Sequence, residues 1–181
     1  RQYCGQIGKH DNSQAAVSLS VATWSSSLPI AWRLYLPEVW CQDRERRQQA
    51  GVPQEIEFRT KPEIALEQIQ EAVAHKVPRG VVLADAGYGN GMPFRTAVTE
   101  LGLQYVAGIE SSTTVWEPGQ QPLPAPPRKP GRGATPKRLR RDADHQPVSV
   151  KELALNLPAA AWKDTGWRQG SQGTLRSSFA A

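Results

Sequence analysis

Every second position is apolar in two segments near the start of the chain. Between residues 16 and 23, Val17, Leu19 and Val21 fall on one face of an extended chain, with small or polar side chains between them. The segment IAWRLYL, residues 30–36, repeats this alternation after the polar turn SSSLP. A period of two is typical of strands that bury one face. The pattern therefore predicts an antiparallel hairpin.

The middle of the chain switches to helical spacing and to short apolar runs. Thr60 and Glu63 have the spacing of a capping box and open a helix that ends before VPRG. A second helix is predicted over residues 93–102, because its apolar residues recur three and four positions apart. The runs VVLA (81–84) and QYVAGIES (104–111) predict strands that are buried on both faces.

The order of these elements predicts an α/β fold. Two strands, a short helical piece at residues 43–50, a helix, a strand, a helix and a strand follow one another. An antiparallel hairpin that continues into β-α-β crossovers makes a mixed sheet. Asp85 then lies at the carboxyl end of an interior strand, at the edge where α/β sheets place functional side chains.

A change in composition divides the chain after Trp116. Pro, Gly and Arg dominate from there to Gln146, which is typical of an insertion or a linker. A second capping-box match at Ser149 opens a short helix, and a tail with aromatic residues and a Gly-rich turn predicts further strands. We therefore divide the chain into residues 1–116, 117–148 and 149–181.

Positive charge is concentrated in the middle part. The chain holds 22 Lys and Arg against 17 Asp and Glu. Seven of the basic residues, and no acid, lie in PPRKPGRGATPKRLRR: Arg128, Lys129, Arg132, Lys137, Arg138, Arg140 and Arg141. Without them 15 basic residues face 17 acidic ones, so the rest of the chain has a net charge of −2. A local basic segment predicts contacts with the phosphates of a nucleic acid, and a solvated loop is the alternative.

Length, cysteine content and hydropathy narrow the class of protein. A chain of 181 residues can hold one core and an insertion. No apolar run approaches the roughly 20 residues that span a bilayer, and Cys4 and Cys41 form neither a CxxC pair nor a disulfide framework. We expect a soluble protein from a reducing, intracellular setting. Because the chain starts at Arg1 without Met and ends in RSSFAA, we expect an internal fragment of a longer protein.

The segment VVLADAGYGNG, residues 81–91, holds the main candidate chemistry and allows three interpretations. As a metal site, Asp85 supplies a carboxylate, which is a preferred ligand of hard ions such as Mg²⁺. As a cofactor site, the glycines resemble the loop of S-adenosylmethionine-dependent methyltransferases, with Glu110 on the ribose. As a structural turn, the side chain of Asp85 accepts hydrogen bonds from the amides that follow it.

Sequence blocks along nearly the whole chain favour the metal interpretation. They are RQYCGQIGKHDNSQAAVSLSVAT, LPIAWRLYLPEVW, GVPQEIEFRTKPEIALEQI, GVVLADAGYGN, FRTAVTELGLQYVAGIESSTTVW and VKELALNLPAAAWKDTGWRQGS. In this order they resemble bacterial insertion-sequence transposases of the DDE endonuclease superfamily, in the group named for insertion sequence seven-oh-one. Six blocks in register are much harder to match by accident than one glycine loop.

The resemblance implies a ribonuclease H-like mixed sheet that binds two Mg²⁺ (or Mn²⁺) ions. In this family two Asp and one Glu hold the ions, and Asp85 matches the second Asp by motif. The first Asp lies on a strand before RQYCGQ and the Glu on a later helix, so both are absent from this chain. One carboxylate cannot fix a two-metal site, and we expect the fragment alone to be inactive. The three parts of the chain then become a partial ribonuclease H-like core (1–116), a Pro/Arg-rich basic loop (117–148) and the start of an insertion subdomain (149–181).

The resemblance also implies partners and a location. The intact enzyme is expected to cleave DNA at transposon ends and to transfer the strand to target DNA, with the seven basic residues on DNA phosphates. A homodimer in a synaptic complex fits this activity, a membrane does not, and the expected location is the bacterial cytoplasm, associated with the nucleoid. Two alternatives stay open, a methyltransferase that uses Glu110 and a DNA-binding remnant without chemistry.

Overall fold

The chain forms two compact units, Arg1–Ile109 and Glu110–Ala181. The structure is a computed structural model. It describes residues 2–4, 7–124, 142, 144–171 and 173–180. In these residues no helix is both long enough and apolar enough to cross a membrane.

Two antiparallel hairpins begin the first unit. Strands β1 (Gln2–Cys4) and β2 (Lys9–Asp11) pair with each other, as do β3 (Ala15–Ala22) and β4 (Ser27–Tyr35). The second hairpin confirms the prediction from alternating apolar residues. The hydroxyl oxygen of Thr23 stabilises its polar turn, because it accepts hydrogen bonds from the amides that follow the strand.

Three helices follow, and side-chain caps mark where two of them start. Helices α1 (Glu38–Gln42) and α2 (Arg44–Gln49) are short, and Asp43 caps α2 by accepting a hydrogen bond from the Arg46 amide at 3.0 Å. Helix α3 (Lys61–Ala74) carries the predicted capping box. The Thr60 hydroxyl accepts from the Glu63 amide, and the Glu63 carboxylate accepts from the Thr60 amide at 2.7 Å.

A β-α-β unit completes the first unit. Strand β5 (Val82–Ala84) leads through α4 (Ala86–Gly89) and α5 (Met92–Glu100) to strand β6 (Tyr105–Ala107), which pairs with β5 in parallel. This arrangement confirms the predicted crossover.

The core of this unit lies where α3, α5 and the strands meet. Ile69, Phe94 and Val98 form its buried centre, and Leu19 of β3 and Ala84 of β5 are among the side chains packed against it. The α/β class predicted from the order of elements is therefore present.

The prediction that β5 and β6 are buried on both faces is wrong. The side chains of Leu83 and Val106 are 74% and 64% exposed. Strand β5 pairs only with β6 in the described chain, so one of its edges carries no neighbouring strand. The hairpin β3–β4 is likewise a separate two-stranded sheet, so the described residues do not join the strands into one mixed sheet.

The second unit contains two antiparallel pairs and a capped helix. Strands β7 (Thr114–Val115) and β8 (Val148–Ser149) pair, and Ser149 caps α6 (Val150–Leu155) through the Glu152 amide at 3.0 Å. After a 3₁₀ turn, strands β9 (Trp162–Gly170) and β10 (Gly173–Ala180) form a two-stranded ribbon. The ribbon confirms the strands predicted for the tail.

Candidate active site

Asp85 directly follows β5 and is exposed. Its Oδ1 accepts a hydrogen bond from the Gly87 amide at 2.8 Å, which caps α4. Its main-chain carbonyl accepts from the amides of Tyr88 and Gly89 at 3.1 and 2.9 Å. The turn predicted as the structural interpretation of Asp85 is therefore formed.

This cap does not use up the carboxylate. An ionised Asp has two oxygens with about four acceptor positions between them, and the Gly87 amide occupies one of those on Oδ1. The hydrogen bond from Gly87 fixes the direction of the side chain. Asp85 can therefore cap α4 and bind a cation at the same time.

Close packing between α4 and the end of β6 explains one glycine of the segment VVLADAGYGNG. A Cβ atom at Gly89 would lie 2.0 Å from the carbonyl oxygen of Gly108, which directly follows β6. A Cβ atom at Gly108 would in turn lie 3.0 Å from the Ala86 amide. The Arg95 guanidinium also donates a hydrogen bond to the Gly89 carbonyl. Gly89 is thus required by the packing of the protein itself, without any bound cofactor.

Tyr88 lies three residues after Asp85, on α4, and was not predicted as a site residue. Its ring packs on Phe94 with the ring centroids 5.8 Å apart. Burial raises the pKa of the Tyr88 hydroxyl, and the negative charge of Asp85 raises it further. The hydroxyl therefore stays protonated at neutral pH. An aromatic residue between two glycines was the only sequence signal for it.

A complete metal site is not assembled in the described part of the chain. Within it, no three His, Cys, Asp or Glu side chains lie close enough together to hold an ion. The carboxylate of Asp85 suits a hard divalent ion by its chemistry. It can supply one ligand of such a site, and the others have to come from elsewhere.

Glu110 lies in a turn of the second unit. Its main-chain carbonyl accepts a hydrogen bond from the Thr113 amide at 2.9 Å, and the Ser112 hydroxyl lies 3.5 Å from its carboxylate. Glu110 does not lie on a helix. The resemblance to DDE transposases, by contrast, implies a third carboxylate on a helix.

The seven predicted DNA-binding residues lie outside the described residues. Residues before and after this segment are described, and residues 114–121 contact residues 145–149. The pair β7–β8 joins these two parts, the rings of Trp116 and His145 lie 4.7 Å apart, and His145 Nε2 lies 2.5 Å from the Gln121 carbonyl oxygen. The described residues on the two sides of the basic segment are therefore joined by one small antiparallel pair of strands.

Comparisons with known proteins identify the family. A family model described as "DDE superfamily endonuclease" matches residues 1–174. A protein of Microchaete diplosiphon named "Probable transposase for insertion sequence element IS701" is 34% identical over 113 residues. This match covers 62% of the chain and 27% of the relative, so the chain spans about a quarter of the relative's length. No solved structure matches the chain. The chain belongs to the DDE superfamily of endonucleases.

Proposed function

We propose that the chain is part of the catalytic core of a DNA transposase and that Asp85 is one ligand of its divalent metal ions. The observation that carries this proposal is the position of Asp85, whose carboxylate is held at a strand end by the Gly87 amide. The family match and the IS701 relative supply the reaction class. The chain covers only part of such an enzyme, so we infer that it is inactive without the remaining carboxylates.

The proposed core is a ribonuclease H-like sheet. Its support is the order of elements, an antiparallel hairpin and then a parallel β-α-β pair. Helix α3 packs against β3, β4 and α5, so one helix lies against both parts. We assign residues 1–116 to this core, 117–148 to a basic loop and 149–181 to the start of an insertion subdomain.

In the proposed mechanism, Asp85 would supply one ligand to two Mg²⁺ or Mn²⁺ ions, which when bound would supply activation of the attacking oxygen and stabilisation of the leaving oxygen at the scissile phosphate. The residues of this chain orient one ligand of that site. The Gly87 amide donates a hydrogen bond to Oδ1 of Asp85. This amide belongs to α4, which is held in place by the hydrogen bond from Arg95 to the Gly89 carbonyl. The close contact of Gly89 with Gly108 fixes the same helix on the end of β6.

We also propose that DNA is the partner and that the basic loop contacts its phosphates. The stem formed by β7–β8 joins the two ends of a segment with seven cations and no acid. Such a segment attracts a polyanion through the release of counterions. We place the enzyme on the DNA of the bacterial cytoplasm, as a homodimer where it synapses two transposon ends.

The experiment that tests the function is cleavage of transposon-end DNA by the full-length protein with Asp85→Asn. The amide of Asn keeps an oxygen that can accept from Gly87, and Asn caps helices about as well as Asp. It lacks the negative charge that a divalent ion needs. The cleavage rate should therefore fall at least about 100-fold, because loss of a residue that only supports a metal ligand already costs about 10- to 100-fold in activity. Folding and binding to transposon ends should persist.

Asp43→Asn is the matched control. Asp43 caps α2 through the Arg46 amide at 3.0 Å, as Asp85 caps α4, and the proposal gives it no metal role. Its cleavage rate should match that of the unmodified protein. Full cleavage by Asp85→Asn would refute the assignment of Asp85. An unmodified full-length protein that binds DNA and never cleaves it would support the alternative of a remnant without chemistry.

A further inference from the structure

Arg95 is the only charged residue between Asp85 and Glu100. It lies in the first half of α5, and its Nη1 donates a hydrogen bond to the main-chain carbonyl of Gly89. A guanidinium has five N–H donors, and this contact uses one of them. The side chain is half-buried. Arg95 therefore holds a positive charge in a fixed place and keeps donors for a further partner.

No carboxylate neutralises Arg95 in the part of the chain that the structure describes. The ion pairs found there involve other basic residues: Lys9, Arg33, Arg46 and Arg59. Asp85 is not paired with Arg95 either, because its Oδ1 accepts from the Gly87 amide and it forms no ion pair. A partly buried charge without a counter-charge is unfavourable. The position of Arg95 therefore favours an anion that comes from outside the chain.

The hydrogen bonds of Gly89 place Arg95 near the strand end that carries Asp85. The Gly89 amide donates to the main-chain carbonyl of Asp85 at 2.9 Å, and the Gly89 carbonyl accepts from Arg95. Gly89 also packs against Gly108, which directly follows β6. One residue thus connects the guanidinium to the carboxyl ends of both β5 and β6. An anion bound by Arg95 lies at the same edge of the sheet as Asp85.

Helix α5 adds to the positive potential at this edge. It begins after Gly91, which forms no side-chain cap, and its first turn contains no acid. The amides of a first helical turn lack partners within the helix and carry partial positive charge. The Arg95 side chain reaches back past this helix end to Gly89. The guanidinium is the main source of attraction for an anion here, and the helix end strengthens it.

We propose that Arg95 binds a phosphate of the DNA strand beside the scissile phosphate and so positions the DNA at Asp85. The planar guanidinium fits a phosphate through two parallel hydrogen bonds. Contacts to phosphates fix the register of a protein on DNA without reading its sequence. Arg95 is a positioning residue in this account and binds no metal ion. The inference rests on the proposed function, because it takes Asp85 to mark the place of cleavage.

Coupling between Arg95 and a single DNA phosphate tests the proposal. The full-length protein and its Arg95→Gln variant are bound to transposon-end DNA without divalent ions, so that the DNA stays uncut. In each duplex one phosphate close to the cleavage site is a methylphosphonate, which lacks the negative charge. One such duplex should bind the unmodified protein about tenfold more weakly than ordinary DNA does, the usual contribution of a hydrogen bond between charged groups. The same duplex should bind Arg95→Gln no more than about twofold more weakly than ordinary DNA does.

Arg79→Gln is the matched control. Arg79 is exposed and precedes β5, so this strand separates it from Asp85. In this variant the methylphosphonate should still weaken binding about tenfold. If every methylphosphonate weakens binding equally in Arg95→Gln and in the unmodified protein, the proposal is overturned. A purely structural role of Arg95, through its bond to α4, would give that result, because it would lower the affinity for all duplexes alike.

Chemical modification provides a readout that needs no substitution. Phenylglyoxal reacts with accessible guanidinium groups, and mass spectrometry locates the modified residues. At a DNA concentration about ten times the Kd, modification of Arg95 should be about tenfold slower than without DNA, because only the unbound protein reacts. The rate at Arg79 should not change. Equal rates at Arg95 with and without DNA would overturn the proposal.

The two levels of the account fail in different ways. A full-length protein that binds no transposon end would contradict the proposed function and this inference with it. A protein that binds these ends, without coupling or protection at Arg95, would overturn this inference alone and leave the role of Asp85 standing.

Discussion

Gly89→Ala tests the packing that holds the candidate carboxylate in place. A Cβ atom at this position would lie 2.0 Å from the Gly108 carbonyl oxygen and 2.8 Å from the Ala107 Cβ, whereas ordinary contacts begin at 3.4 Å. The loop would have to move away from β6 by about 1.4 Å, the difference between 3.4 and 2.0 Å. The clash is with backbone, which cannot turn aside as a flexible side chain can.

The expected cost is that of overpacking a tight contact, about 1–3 kcal/mol in the free energy of unfolding. Urea denaturation measures it, and a loss of 2 kcal/mol lowers the midpoint by about 1 M at a typical slope of 2 kcal/mol/M. Because the shift also moves the Gly87 amide, the variant should lose the fixed orientation of Asp85.

Gly80→Ala is the control for the general effect of replacing glycine. A Cβ atom at Gly80 meets nothing within 4 Å, so this change should leave stability unaltered or raise it by up to about 1 kcal/mol. Equal stability of the Gly89→Ala and Gly80→Ala proteins would refute the packing argument. It would also reopen the question of whether a bound cofactor requires the glycine.

Two further predictions concern pH and salt. The hydrogen bond from the Thr60 amide is the largest cause that lowers the pKa of Glu63, and the hydrogen bond from the Thr60 hydroxyl is the next. The Glu63 carboxylate therefore stabilises the folded state above the ordinary Glu pKa of about 4.3. This stabilisation is lost as the pH falls through the lowered pKa. The urea midpoint should fall less between pH 6 and pH 3 in Glu63→Gln than in the unmodified protein, and equal falls would exclude this carboxylate as a contributor. The affinity of the chain for DNA should fall as salt is added. The slope of the logarithm of the binding constant against the logarithm of the salt concentration should be no steeper than roughly −6 if all seven loop cations contact phosphates. Replacing Lys137, Arg138, Arg140 and Arg141 by Gln should make this slope shallower by about 3 to 4. A slope that these substitutions leave unchanged would remove the loop from the interface.

Local sequence signals predicted most of the helices and the longer strands. The capping box at Thr60, the helical spacing after Pro93 and the alternation around Leu19 each depend on neighbours in sequence, and each matches an element of the structure. The pairs β1–β2 and β7–β8 were not predicted, because strands of three and two residues are too short to show a period. Their pairing depends on partners elsewhere in the chain.

Burial and the surroundings of the candidate site could not be predicted from local patterns. The apolar run around Leu83 indicated a buried strand, but its burial depends on a neighbouring strand that the described chain does not provide. The position of Asp85 at a strand end was predicted, and so was its structural turn. The contact of Gly89 with Gly108 was not, because it joins positions far apart in sequence. The glycine spacing suggested a bound cofactor as one interpretation, whereas in the structure Gly89 is required by its contact with Gly108.

Metal binding by Asp85 is the central claim, and counting bound Mn²⁺ tests it directly. Electron paramagnetic resonance would measure Mn²⁺ binding to the full-length protein, to Asp85→Asn and to the helix-cap control Asp43→Asn. We predict that Asp85→Asn loses at least one of two bound ions or binds them at least about tenfold more weakly, while Asp43→Asn binds as the unmodified protein does. The same number of ions bound with the same affinity by Asp85→Asn would contradict the account.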